Sequence, residues 1–248
     1  MRNIRLYHPG ELSCGVEMHL SRDSSNHLIR VLRTKVDTPI TLFNGNGFDY
    51  QCRTLDDNSK KTRVLVESKI QLNTESNLNL TLIQGLSRHD RMETSIQKSV
   101  ELGVNKIIPV ICQRSNIKSS KDKIQKKLDY WRKIAISACE QSHRNHIPDI
   151  SDIILLNDLT QHLDQDSIKI ILSPTAKESL KDIKNKYHKL PHDAMSVFIG
   201  PEGGLNNDEI ELLKNVAFTG ITFGPRILRT ETAGPAVISA LQMLWGDY

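Results

Sequence analysis

The rhythm of apolar and polar positions changes about a third of the way along the chain. Up to about residue 72, short runs alternate or carry β-branched side chains, at residues 4–7, 40–43, 49–55 and 62–70. The turn formers Asn44-Gly45-Asn46-Gly47 and Asp56-Asp57-Asn58 punctuate them. Period-two patterning between turn signals predicts strands. One helix interrupts these strands. From about Ser24, the positions Leu28, Val31 and Leu32 recur at helical spacing, with Asp23 and Ser24 as caps. A small half-open β-barrel with one inserted helix is the simplest architecture for that order. Gly45-x-Gly47 is followed by no helix, so it reads as a hairpin turn and not as a dinucleotide loop.

Beyond the polar stretch 71–79 the pattern becomes strand–helix alternation. Strands are predicted at 80–84, 106–111, 168–172, 196–199 and 220–223. Helices are predicted at 91–102, 123–142, 179–187, 208–215 and 236–245. Ile124, Leu128, Trp131, Ala135 and Ala138 form one apolar stripe along the second helix. Short buried strands between helices imply an α/β unit, a mostly parallel sheet with helices on both faces. Its ligand site is expected in the loops at the strands' carboxyl ends. The domain boundary is placed so that residues 1–72 form the barrel and 73–248 the α/β domain.

Length and composition narrow the class. At 248 residues, against about 150 per domain, one large or two small domains are expected. The 38% apolar and 25% charged content excludes global disorder. Cys14, Cys52, Cys112 and Cys139 are too far apart for a zinc knuckle, and they read as reduced, mostly buried thiols, with no metal site expected. The first nine residues are broken by charge and proline, and no stretch approaches the roughly 18 apolar residues of a membrane span. A cytoplasmic protein that contacts no membrane is therefore expected. Net charge of +4 permits a polyanionic partner without requiring one.

Three strand-end loops carry the candidate chemistry. They are Leu172-Ser173-Pro174-Thr175, then Ile199-Gly200-Pro201-Glu202-Gly203-Gly204, then Gly224-Pro225-Arg226-Ile227-Leu228-Arg229-Thr230-Glu231-Thr232. Glycines in the second loop would let main-chain amides approach a ligand, ahead of a helix capped near Asn206 or Asn207. Without the Lys-Ser/Thr ending of a phosphate loop, that sequence argues against a Walker-type NTPase. In the third loop the coming helix N-terminus attracts Glu231 and repels Arg226 and Arg229, so the two arginines either face an anionic ligand or a carboxylate or are surface arginines with no partner.

Basic residues also group. Residues 113–133 hold Arg114, Lys118, Lys121, Lys123, Lys126, Lys127, Arg132 and Lys133 against Asp122 and Asp129. Either a solvated helix face or a phosphate-contacting surface accounts for them. In the first domain His27, Arg30 and Arg33 follow at helical spacing, beside Arg2 and Arg5 on the first strand; small basic barrels suit RNA backbone contact.

Several strings together resemble one family. They are Gln97-Lys-Ser-Val-Glu101-Leu-Gly103-Val, Glu140-Gln141-Ser142-x-Arg144, Ile199-Gly-Pro-Glu-Gly-Gly-Leu205 and Arg226-Ile-Leu-Arg-Thr-Glu-Thr-Ala233. With Arg5-Leu-Tyr7 and His27-Leu-x-x-Val31-Leu-Arg33 they match the RsmE family of SPOUT-superfamily methyltransferases over nearly the whole chain. The resemblance implies a PUA-like RNA-binding β-barrel followed by a methyltransferase domain with a C-terminal trefoil knot. It also implies a homodimer and S-adenosylmethionine-dependent methylation of N3 of a uridine in bacterial 16S ribosomal RNA of the small subunit. Cofactor binding then falls to Leu172, Ser173, Pro174, Ile199, Gly200, Pro201, Gly203, Gly204, Phe223, Gly224, Ile227, Leu228 and Thr230.

On this reading Arg229 and Arg226 stabilise the uracil anion or clamp a phosphate, and Glu202 accepts a proton or orients the cofactor. Arg5, His27, Arg30, Arg33, Arg91 and Arg144 contact RNA phosphates. Two positions depart from the family pattern: Arg88-His89 stands where Lys-Gly is usual, and His143 where glycine is common. His89 and His143 are alternative proton acceptors. A non-catalytic RNA-binding protein, or an enzyme of the same superfamily acting on transfer RNA or a ribose hydroxyl, are the other readings.

Overall fold

A computed structural model describes residues 4–115 and 121–248. Arg2 and Lys118 lie outside the described residues. Contacts divide the chain into two compact units, Met1–Glu75 with Cys139–Ile147, and Ser76–Ala138 with Pro148–Tyr248.

In the first unit, β1 (Arg5–Tyr7), β2 (Glu17–His19), α1 (Arg22–Asn26), β3 (Pro39–Phe43), β4 (Phe48–Thr54) and β5 (Arg63–Gln71) follow in the chain. The strands pair in the order β1-β3-β4-β5-β2, parallel between β1 and β3 and antiparallel elsewhere. Strand β2 escaped the sequence pattern because its two outer residues are exposed and only Met18 is partly covered. The helix starts earlier than expected, at Arg22, because the Ser21 hydroxyl accepts from the Ser24 amide as its cap. It continues as a π-helical turn, His27–Val31, which sends Leu28 into a core with Leu42, Val64 and Val66.

Residues 139–147 join this unit through two buried ionic hubs. The Arg5 guanidinium donates to Asp49, to the carbonyls of Cys139 and Arg144 at 2.8 and 2.9 Å, and to Asn145 Oδ1 at 2.8 Å. It also lies 3.7 Å from the Phe43 ring centroid. Glu75 answers from the other side. Its Oε2 accepts from Arg144 Nη2 at 2.6 Å, while Oε1 accepts the amides of Asn145 and His146. Both arginines are buried, at 5% and 3% exposure. The expectation that Arg5 and Arg144 face RNA is therefore corrected: each spends its charge inside the unit. The next-to-glycine logic of the segment is visible at His143, whose φ of 61° follows the last helical residue. The first unit runs three residues past the expected boundary at 72 because Glu75 is part of this anchor.

The second unit carries β6 (Asn79–Gly85), α2 (His89–Glu101), β7 (Lys106–Ile111) and α3 (Lys121–Ser142), whose last four residues belong to the first unit. There follow β8 (Asp149–Ile150), β9 (Ile154–Leu155), β10 (Ile168–Leu172), β11 (Glu178–Ser179), α4 (Leu180–Lys186) and β12 (Ala194–Ile199). The chain ends with α5 (Asn207–Asn215), β13 (Thr219–Thr222) and α6 (Thr230–Trp245). The strand order is β11-β13-β10-β12-β6-β7-β8, with β9 also on β7, and every pairing is parallel.

All six residues of β12 are buried, as a central strand covered on both faces requires. Ile108, Ile83, Phe198 and Ile171 stand in register on one face, against Leu156, Leu159 and Leu213. On the other face, a methyl group at Gly234 of α6 would lie within 4 Å of the Gln84, Ser95 and Ile199 side chains. Helix α6 begins six residues before the predicted start. The Gly234-Pro235 pair reads as a breaker, yet Pro235 sits inside the helix.

Candidate active site

A cavity of about 720 Å³ opens at the carboxyl ends of β10, β12 and β13. The loops after these strands are distant in sequence, but β10 lies between β12 and β13 in the sheet, so all three loops end side by side. Of the positions assigned to cofactor binding, Leu172, Ser173, Pro174, Ile199, Gly200, Pro201, Gly204, Phe223, Gly224, Ile227, Leu228 and Thr230 all line it. So do Glu202, Arg226 and Arg229. Gly203 does not; it faces away, where Arg114 Nη1 donates to its carbonyl at 3.0 Å. Pro225 of the third loop lines it too, and so do Thr222 and Ala233, which were not foreseen.

Two residues at the end of β6 set the loops in place, and neither stood out in the sequence. Gln84 is buried. Its amide donates to Thr230 Oγ1 at 2.9 Å, and its carbonyl accepts from Ser95 of α2 at 2.8 Å. Thr230 in turn donates to the Gly200 carbonyl at 2.8 Å. One chain of hydrogen bonds thus ties β6, α2, α6 and the second loop together. Gly85 supplies the space: a methyl group there would come within 2.5 Å of Pro201 N and 2.9 Å of Gly200 C. Gly204 takes a φ of 68° to close the turn in which its amide donates to Pro201 O.

Charge at the mouth is unevenly matched. Glu202 Oε1 accepts the Arg88 amide at 3.0 Å, and Oε2 lies 3.2 Å from Arg91 Nη1. Arg91 also approaches Glu231 at 3.9 Å. Arg91, expected among the phosphate contacts, therefore lines the cavity wall and is spoken for by two carboxylates. Arg226 and Arg229 are exposed, and no carboxylate lies within ion-pair distance of either among the described residues. Next to Arg88, His89 pairs with Glu93 and its ring lies 5.1 Å from that of Tyr130. In the first unit His27, Arg30 and Arg33 are exposed along one stretch.

The remaining titratable groups have structural surroundings. Cys52, Cys112 and Cys139 are buried thiols that burial pushes up to about 12, whereas Cys14 is exposed. No helix among the described residues is long and apolar enough to cross a membrane.

Comparison with known proteins agrees with this layout. Residues 74–242 match the family model described as RNA methyltransferase domain, and residues 20–66 match RNA methyltransferase PUA domain. The ribosomal RNA small subunit methyltransferase E of Buchnera aphidicola is 35% identical, across 98% of this chain and 97% of that protein. The Bacillus subtilis protein of the same name is 31% identical, across 92% of each. Among solved structures, a Neisseria gonorrhoeae ribosomal RNA small subunit methyltransferase E bound to S-adenosyl methionine superposes with a TM-score of 0.90. It is 37% identical and fully covered. A Legionella pneumophila protein in complex with the bound cofactor SAM gives 0.94 at 36% identity, also fully covered. On these matches, which span both units, the chain belongs to the ribosomal RNA small subunit methyltransferase E family.

Proposed function

We propose that the three-loop cavity binds S-adenosylmethionine and that the chain uses it to methylate N3 of a uridine in 16S ribosomal RNA of the small subunit. The observation that carries this reading is the convergence of the loops after β10, β12 and β13 on one cavity. Its volume of about 720 Å³ suits an organic ligand of cofactor size. Apolar Leu172, Ile199 and Leu228 beside the main chain of Gly200, Pro201 and Gly204 fit an adenine and ribose held by shape and backbone hydrogen bonds. Ser173, Pro174, Phe223, Gly224, Ile227 and Thr230 complete the set. When bound, the cofactor supplies a methyl group activated by its sulfonium.

The chain's own residues must hold the base in line and make its N3 nucleophilic. A uracil imide is a weak acid, and positive charge aimed at the developing anion favours its loss of a proton. Arg226 and Arg229 supply that charge because no carboxylate among the described residues neutralises them. Glu202 serves as an orienting group: both oxygens are engaged by Arg88 and Arg91, which braces the second loop against α2. His27, Arg30 and Arg33 take phosphates on the first unit. A trefoil knot in the second unit, a homodimer and a cytoplasmic setting complete the reading.

Arg229→Ala tests the electrostatic role. Single-turnover methylation should slow about 100-fold, the usual cost of removing one preorganised group that stabilises a developing anion. Cofactor affinity by calorimetry should stay within a factor of a few. Full rate with normal cofactor binding would refute the assignment.

A further inference from the structure

We infer that His89 and Tyr130 form a stacking platform for an unpaired base of the substrate RNA, beside the nucleotide held in the cavity. The inference rests on the methyltransferase reading above and adds a recognition element to it. The Tyr130 ring is 41% exposed on α3. The His89 ring packs at 5.1 Å and 43° to it, extending one π surface into two.

The pair stands next to the reaction site. His89 opens α2 immediately after Arg88, whose amide holds Glu202 of the cavity wall, and Arg91 one turn on lines the cavity itself. Charge around the platform suits RNA. On α3, Lys126, Lys127 and Lys133 lie three or four residues from Tyr130 and so share its face, and Arg88 is 69% exposed beside His89. Among the described residues Glu93 faces the pair, engaged by His89 and by the Tyr130 hydroxyl. Exposed aromatic faces bracketed by cations are the means by which proteins hold unpaired bases without reading their edges, since every base has a π face.

Four variants and two substrates decide the matter. Tyr130→Ala and His89→Ala should each raise KM for purified, unmodified small subunits about tenfold. In Tyr130→Ala the turnover rate and S-adenosylmethionine affinity should not move. Tyr130→Phe keeps the ring and loses the hydroxyl, so it should behave as the parent, whereas a purely structural role for the hydroxyl would make it resemble Tyr130→Ala. Tyr130→Trp should restore KM, and its added fluorescence should be quenched by single-stranded oligouridine. Wild-type KM in the alanine variants would overturn the inference. So would a KM defect without quenching by oligouridine, which would assign the patch to a ribosomal protein. If the parent itself methylates no subunit RNA, the proposed function fails, and the quenching result still judges the platform alone.

Discussion

Arg5 and Arg144 carry their charge into dry surroundings, where stability depends on the carboxylates that meet them. Removing one partner of such a pair strands the other, at a cost of about 3–5 kcal/mol. Arg5→Ala leaves Asp49 and two carbonyls without their donor, so its unfolding free energy in urea should drop by about 3 kcal/mol. An unchanged midpoint would mean that the hub stabilises nothing. Glu140 offers a titration test. Partial burial raises its pKa more than the Tyr7 amide, His27 and Arg5 lower it. A raised carboxyl favours the folded state while protonated, so that contribution is complete below about pH 4 and is lost as pH rises through the folded value. Glu140→Gln keeps an oxygen for the Tyr7 amide and cannot ionise. The variant should match the parent in acid and exceed it in stability at neutral pH; the reverse order would contradict the burial of this group. In the sequence, Arg5 stood on a strand and Arg229 in a strand-end loop, but nothing showed that Arg5 is buried. Both are single arginines next to apolar residues, and only pairing with distant Asp49 makes one structural.

At the level of elements, period and turn chemistry located the five longer strands of the second unit to within two residues at either end, because buried parallel strands are continuous apolar runs. They failed where a local signal and tertiary packing disagree. Gly234-Pro235 argues for a break, but α6 runs from Thr230 to Trp245 with Pro235 inside it and its Gly234 face packed on the Gln84 and Ile199 side chains. That early start makes Arg229 the residue that caps α6, and Thr230 its first buried contact. Gly85 was silent in the sequence for a related reason: its role is to have no side chain beneath Pro201. Gly85→Ala should push the second loop by the overlap of its methyl group. Overpacking of this kind costs about 1–3 kcal/mol, which amounts to roughly 5- to 160-fold weaker S-adenosylmethionine binding by calorimetry. Parent affinity in a folded Gly85→Ala protein would show that the loop does not hold the cofactor.

For the whole molecule, the change of rhythm near residue 72 falls close to Glu75, where the first stretch of the first unit ends. The return of residues 139–147 to the first unit was not readable in the sequence, since a continuous helix, α3, carries the chain there. Replacing His27, Arg30 and Arg33 together with glutamine should weaken binding to the small subunit and make it less sensitive to salt. Each lost phosphate contact flattens the log–log slope by about 0.7 to 0.9. An unaltered slope would remove the first unit from the RNA interface. The most direct measurement of the account is the identity of the nucleoside made when the purified protein, S-adenosylmethionine carrying a labelled methyl group and unmethylated small subunits are combined. After digestion of the 16S RNA, mass spectrometry should find the label in N3-methyluridine. Label in any other nucleoside, or in none, would contradict it.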